Sequence, residues 1–172
     1  MALVSLVSNQ NAAEKIKPVF EGMEKKLGVV PNIFRAMAHY PEMLEAFLAL
    51  NATLPRTELN GRLRELAYIK TSELNGCDYC LHHHRTLGKK AGLNDRQVAD
   101  TAQSETSDAY DDLERDVMRY AEEVTRHINV DDALVGRLKQ QLDDREIVEL
   151  AMTVGIANFT NRVTETLRME LP

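Results

Sequence analysis

Cys77 and Cys80 are the only two cysteines in the 172-residue chain, and they stand three apart in Cys77-Asp78-Tyr79-Cys80-Leu81-His82-His83-His84. Two thiols at that spacing close too small a loop to staple a fold. In a reducing compartment such a pair is more often catalytic or metal-binding than structural. On a helix, which turns about 100° per residue, Cys77, Cys80 and His84 share one stripe about 60° wide. His82 points nearly the opposite way and His83 lies off the stripe, so both read as solvated. The chemistry open to this stripe is that of an activated thiol. A thiol attacks only as thiolate. Unpaired N–H groups and the positive dipole end stabilise a thiolate at a helix N-terminus. Asn75-Gly76 breaks the preceding helix and puts both cysteines in a first turn. An imidazole one turn beyond Cys80 is placed to accept its proton directly or through a water. Once one sulfur is oxidised, the other can close a disulfide.

Two plainer readings stand beside this one. The cysteines could be small core residues. With His84 they could also bind zinc, although zinc wants four ligands, or three and a water, and here three would come from one helix. Glu65, among Leu63, Leu66 and Ala67 on the preceding helix, becomes a candidate general base if that helix packs against the cysteines and buries it.

The elements that must position these groups are helical almost throughout. The expected helices run from Asn11 to Leu27, closed by Gly28, and from a first-position Pro31 through Ala38. Pro41 restarts a helix to Leu50. Thr57 caps a helix through Lys70, Cys77 opens one to Ala91, and Asn94 caps a short one. Residues 103–110 form the main loop. Helices follow from Asp111 to Val124, from Asp132 to Leu142, and from Asp143 or Asp144 to Leu167. Asn158, Asn161 and Arg162 interrupt the apolar pattern of that last helix; they read as groups that satisfy a buried partner or a subunit contact. The expectation is one all-α domain of about eight helices over residues 1–172.

Composition agrees with that class and removes others. Hydrophobic residues make up 44% and charged residues 28%, the profile of a globular chain with a packed core. Aromatics are only 5%, so the core must be aliphatic. A net charge of −6 gives no electrostatic reason to bind nucleic acid or an anionic membrane. No run approaches the ~18 apolar residues that span a bilayer. The N-terminus lacks the basic region of a signal peptide, so a cytoplasmic location is expected.

The set Glu65, Cys77, Cys80 and His84 resembles the alkylhydroperoxidase D-like (AhpD-like) branch of the carboxymuconolactone decarboxylase family. That branch carries a Glu twelve residues before a CxxC and a His four residues after its second Cys. The segment Gly28–Phe34 and the closing Glu149–Leu167 look like its peroxidase-related members. The resemblance implies an AhpD-like helical fold, assembly into homo-oligomers, and cofactor-free, thiol-dependent reduction of hydroperoxides in antioxidant defence. It assigns Cys80 as the peroxidatic thiolate, Cys77 as the resolving thiol, and Glu65 with His84 as the proton relay. It implies a dithiol protein as reductant, lipoyl-bearing or thioredoxin-like. The alkylhydroperoxidase proper often has a second His between its cysteines where this chain has Tyr79, a poor base near neutral pH. The alternatives are a metal-binding or redox-sensing helical module without turnover, and a lactone decarboxylase. Decarboxylation needs no redox dithiol.

Overall fold

The computed structural model describes residues 2–171, which hold nine α-helices, two short 3-10 turns and, among the described residues, no strand. The chain divides into two compact units.

One unit comprises the residues up to Thr53 together with those from Val163 onward. It holds α1 (Lys17–Leu27), α2 (Asn32–Met37) and α3 (Pro41–Asn51). The expected start of α1 at Asn11 is corrected to Lys17. Pro18 has no N–H to give a preceding turn, so it fits only the first turn of a helix, which is where it sits. Gly28 ends α1 in the left-handed region, φ 79°, with its N–H on the Glu24 carbonyl, as expected. Pro31 is the residue before α2 rather than its first: its ψ of 139° is extended, and the helix begins at Asn32. Ile16, Phe20, Val30 and Leu44 are fully enclosed and form the centre of this unit's core.

The other unit runs from Leu54 to Arg162. It contains a 3-10 turn over Leu54–Arg56, then α4 (Gly61–Leu74), α5 (Asp78–Lys90) and α6 (Asp95–Ala99). A second 3-10 turn covers Asp100–Gln103, followed by α7 (Asp112–His127), α8 (Asp132–Leu138) and α9 (Asp144–Thr166), whose residues from Val163 are counted with the first unit. Thr57 does not cap α4. Its hydroxyl donates back to the Leu54 carbonyl, and the Asn60 side chain accepts from Arg62 N–H instead, so the helix starts at Gly61. Asn94 and Asp111 cap α6 and α7 with reciprocal capping boxes, through Gln97 and Glu114.

Helix α4 is the axis of this unit: nine of its fourteen residues are buried, polar ones included. On one side Leu63 and Ala67 pack with Val117, Leu134, Leu150 and Val154. On the other, Leu66 and Ile69 pack with Leu81, Leu93 and Met118. Each fully buried aliphatic side chain contributes about 1.5–3 kcal/mol, which makes α4 the fixed reference against which α5 is held. No helix among the described residues is long and apolar enough to cross a membrane.

Candidate active site

The site grows from the junction of α4 and α5. Asn75 closes α4, Gly76 turns the chain at φ 65°, and Cys77 becomes the N-cap of α5. The Cys77 sulfur accepts the Cys80 backbone N–H at 3.3 Å, the place a capping oxygen usually fills. Cys77 N–H donates to the Ser72 carbonyl at 2.9 Å, tying the new helix to the end of the old one. Both cysteines are thiols and both are buried; Cys80 keeps 4% of its surface and Cys77 none.

One turn beyond Cys80, His84 Nδ1 meets Glu65 Oε2 of α4 at 2.8 Å. Glu65 is 5% exposed, so the burial that its neighbours in the sequence suggested is realised. An ionised carboxylate only accepts, so Nδ1–H is the donor, and the neutral ring then carries its lone pair on Nε2. The other Glu65 oxygen accepts from Arg64 Nε at 3.3 Å. Arg64 is itself held by the Leu54 carbonyl and the Thr57 hydroxyl.

The close approach of the two helices depends on Gly88, one turn beyond His84. A Cβ there would come within 2.9 Å of Leu93 Cδ1, 3.3 Å of Ile69 Cδ1 and 3.7 Å of Glu65 Cβ. The missing side chain is therefore what lets α5 sit against α4 beside the carboxylate.

Tyr68 supplies a wall that spacing alone did not single out. Its ring stacks on His84 with centroids 3.4 Å apart and planes 10° from parallel. Its hydroxyl lies 2.5 Å from Thr160 Oγ1 of α9. Thr160 gives its own proton to the Ile156 and Ala157 carbonyls, so Tyr68 is the donor. Burial pushes the Tyr68 phenol far above its usual range, and the hydrogen bond with Thr160 offsets this only in part. Tyr68 is thus a neutral, fixed plate. The signal was present: Tyr68 stands three residues after Glu65 and so shares its helix face.

His82 is exposed, as expected. His83 is not solvated in the expected way. Its ring is half-buried, edge-on to Tyr79 at 4.8 Å, and its Nε2 is enclosed without a hydrogen-bond partner. Burial lowers its pKa, and the neighbouring His82 and His84 lower it further. Among the described residues no cluster of three His, Cys, Asp or Glu side chains could hold a metal ion, so the zinc reading has no coordinating group behind it.

Residues 41–123 match the carboxymuconolactone decarboxylase family. That span contains Glu65, Cys77, Cys80 and His84. The fold is shared with a peroxidase-related protein of Silicibacter sp. TM1040, at 26% identity and a TM-score of 0.88 over 99% of this chain and 92% of that one. It is also shared with an AhpD-core, peroxidase-related protein of Ralstonia eutropha JMP134, at 22% identity and a TM-score of 0.89 over the same shares. The debrominase Bmp8 has it too, at 24% identity and a TM-score of 0.85, again over 99% and 92%. The region that holds the site thus matches the carboxymuconolactone decarboxylase family, and the helical architecture across nearly the whole chain is that of AhpD-like, peroxidase-related proteins.

Proposed function

We propose that the protein is a thiol-dependent hydroperoxide reductase. The observation that carries this is the 2.8 Å Glu65–His84 pair standing one helical turn from a CxxC that opens the same helix. In this reading Glu65 holds the His84 ring by Nδ1, and Nε2, directly or through a water, takes the proton of Cys80. The Cys80 thiolate attacks the peroxide, forming an S–O bond and breaking O–O; the alcohol or water leaves with the proton, and the sulfur is now a sulfenic acid. Cys77 attacks that sulfur, the disulfide forms, and water departs. An external dithiol protein, lipoyl-bearing or thioredoxin-like, reopens the disulfide by two exchange steps and carries away the oxidation as its own disulfide. No cofactor enters this cycle. The slight exposure of Cys80 against the full enclosure of Cys77 supports Cys80 as the sulfur that a small peroxide reaches first.

The test is mass analysis of the reduced chain before and after one equivalent of peroxide. Loss of two hydrogens, mapped to the peptide holding Cys77 and Cys80, is expected, and Cys80→Ser should abolish peroxide consumption with a dithiol donor. Unchanged mass, or full turnover by Cys80→Ser, sinks the reading. Bmp8 is a debrominase, and a variant of it has been seen with tribromopyrrole. Disulfide formation with a bromopyrrole but not with a peroxide would therefore move this chain to dehalogenation.

The homo-oligomer that the resemblance implies has a matching surface in α9. Val148, Ala151, Met152, Gly155 and Phe159 all lie exposed at helical spacing while Leu150, Val154 and Ala157 are buried on the other side. A helix apolar on both faces suits one that is covered on both.

A further inference from the structure

The turn that presents the two sulfurs is held from outside by three amides. Asn75 Nδ2 donates to Asn158 Oδ1 at 3.0 Å and to Asn161 Oδ1 at 2.9 Å, which uses both of its amide hydrogens. Asn161 Nδ2 donates onward to Ser72 Oγ at 3.0 Å. Ser72 is the residue whose carbonyl holds Cys77 N–H. On the other side, Asn158 Oδ1 also accepts from Arg162 at 2.6 Å, and Asn158 Nδ2 donates to Thr125 Oγ1 at 3.1 Å. Flipping any of the three amides would set donor against donor or acceptor against acceptor, so the network admits one arrangement. Ser72 is fully buried and Asn161 is 1% exposed. Apolar side chains would pack two helices as well, and at less risk of an unpaired group. The amides thus do something that packing does not: they hold Asn75-Gly76 from both ends.

We infer that Asn75, Asn158 and Asn161 are positioning residues for the dithiol, and that their clamp sets how readily Cys77 and Cys80 join. This deepens the reading of those cysteines as a redox pair and rests on it. Closing a short disulfide requires the turn to be ordered, and an ordering cost already met in folding raises the effective concentration of one sulfur at the other. With the clamp cut, Gly76 frees the turn and Cys77 leaves the Cys80 N–H.

The probe is glutathione redox buffer applied to the full chain. In the exchange, two electrons pass from the two cysteine sulfurs to glutathione disulfide. The Cys77–Cys80 bond forms, the glutathione S–S bond breaks, and both protons leave on two glutathione thiols. Acid quenching, alkylation and mass analysis give the equilibrium constant. Asn161→Ala, Asn75→Ala and Asn75→Asp should each lower it about tenfold or more, which makes the disulfide more oxidising by about 30 mV. Asn75→Ala removes the donor without adding charge; Asn75→Asp keeps the shape but sets a carboxylate against the Asn158 and Asn161 oxygens, so agreement of the two variants assigns the effect to the lost donor. Asn75 is only half-buried, so its two variants keep the test decisive if Asn161→Ala does not fold. Leu134→Ala, in the core of α8 and away from the clamp, should lower stability and leave the constant unchanged. Wild-type values in the folded Asn75 variants, or an equal shift in Leu134→Ala, overturn the proposal. If the wild-type chain forms no Cys77–Cys80 disulfide in any buffer, the redox-pair reading falls first and the clamp with it.

Discussion

Glu65 and His84 are 19 positions apart in the chain and 2.8 Å apart in space, on two helices that Gly88 allows to touch. A carboxylate on one ring nitrogen fixes the tautomer, so the opposite nitrogen is the one available as a base. Glu65→Gln keeps the shape and removes the charge that steadies an imidazolium. Alkylation of Cys80 by iodoacetamide near neutral pH should slow by on the order of 10–100-fold, with cooperative unfolding retained. Equal rates in variant and parent would remove Glu65 from the relay.

Tyr68 separates two roles in one side chain. Tyr68→Phe retains the plate against His84 and loses the hydroxyl bond to Thr160, whose own donation to α9 carbonyls persists. The expected cost is about 1 kcal/mol of stability, with Cys80 alkylation within about twofold of wild type. Tyr68→Leu removes the plate and should slow alkylation clearly more. A folded Tyr68→Phe that no longer reacts would show that the hydroxyl takes part in the chemistry.

The legible part of the sequence was the part written in local spacing. Gly28, Asn75-Gly76, Asn94 and Asp111 end or begin helices where their own backbone and side-chain chemistry says they should. The stripe drawn through Cys77, Cys80 and His84 assumed a regular helix from Cys77; α5 begins at Asp78, and Cys77, at φ −92° and ψ 89°, is its non-helical N-cap. What remained hidden depends on partners far along the chain. Asn60 rather than Thr57 caps α4, and nothing local decides which of two capping residues is occupied elsewhere. Tyr68 finds Thr160 across 92 positions, and Asn75 finds Asn161 across 86. The interrupted pattern of α9 pointed to a buried partner or a subunit contact for its polar residues, but not to the turn before the cysteines as the partner of Asn158 and Asn161.

Gly88 carries a prediction about distance. Gly88→Val would drive its side chain into Leu93, Ile69 and the Glu65 Cβ, all of them buried. Overpacking of this kind costs about 1–3 kcal/mol, and what the side-chain ends of Leu93 and Ile69 do not take up moves α5 off α4. The Glu65–His84 contact should open with it. Thermal unfolding should fall and Cys80 alkylation should slow together; a loss of stability with an unchanged alkylation rate would show that the helix spacing does not set the site.

His83 should make stability depend on pH. Its folded pKa lies below the ordinary 6.5 because its ring is partly buried beside His82 and His84. The unfolded chain therefore binds this proton more readily, and stability rises with pH between the depressed value and 6.5. Acidification below about 6.5 should lower the urea midpoint. His83→Phe, which cannot take the proton, should flatten that decline relative to the parent; identical pH profiles would mean that the enclosed Nε2 is not what resists protonation.

The exposed stripe of α9 makes the last prediction. Val148, Met152 and Phe159 are 61%, 47% and 42% exposed, and span twelve residues, about 16 Å of helix. Isolated surface apolar residues are ordinary, but a continuous row opposite a buried row is the pattern of a helix with a second neighbour. If a copy of the chain covers it, Met152→Glu would bury a carboxylate between apolar surfaces, which costs several kcal/mol without a cationic partner. Sedimentation velocity should then show wild type as an oligomer and Met152→Glu as a folded monomer at the same concentration. A wild-type chain that sediments as a compact monomer at high concentration, or a variant that assembles as before, would take the α9 face out of any assembly and leave its apolar row unexplained.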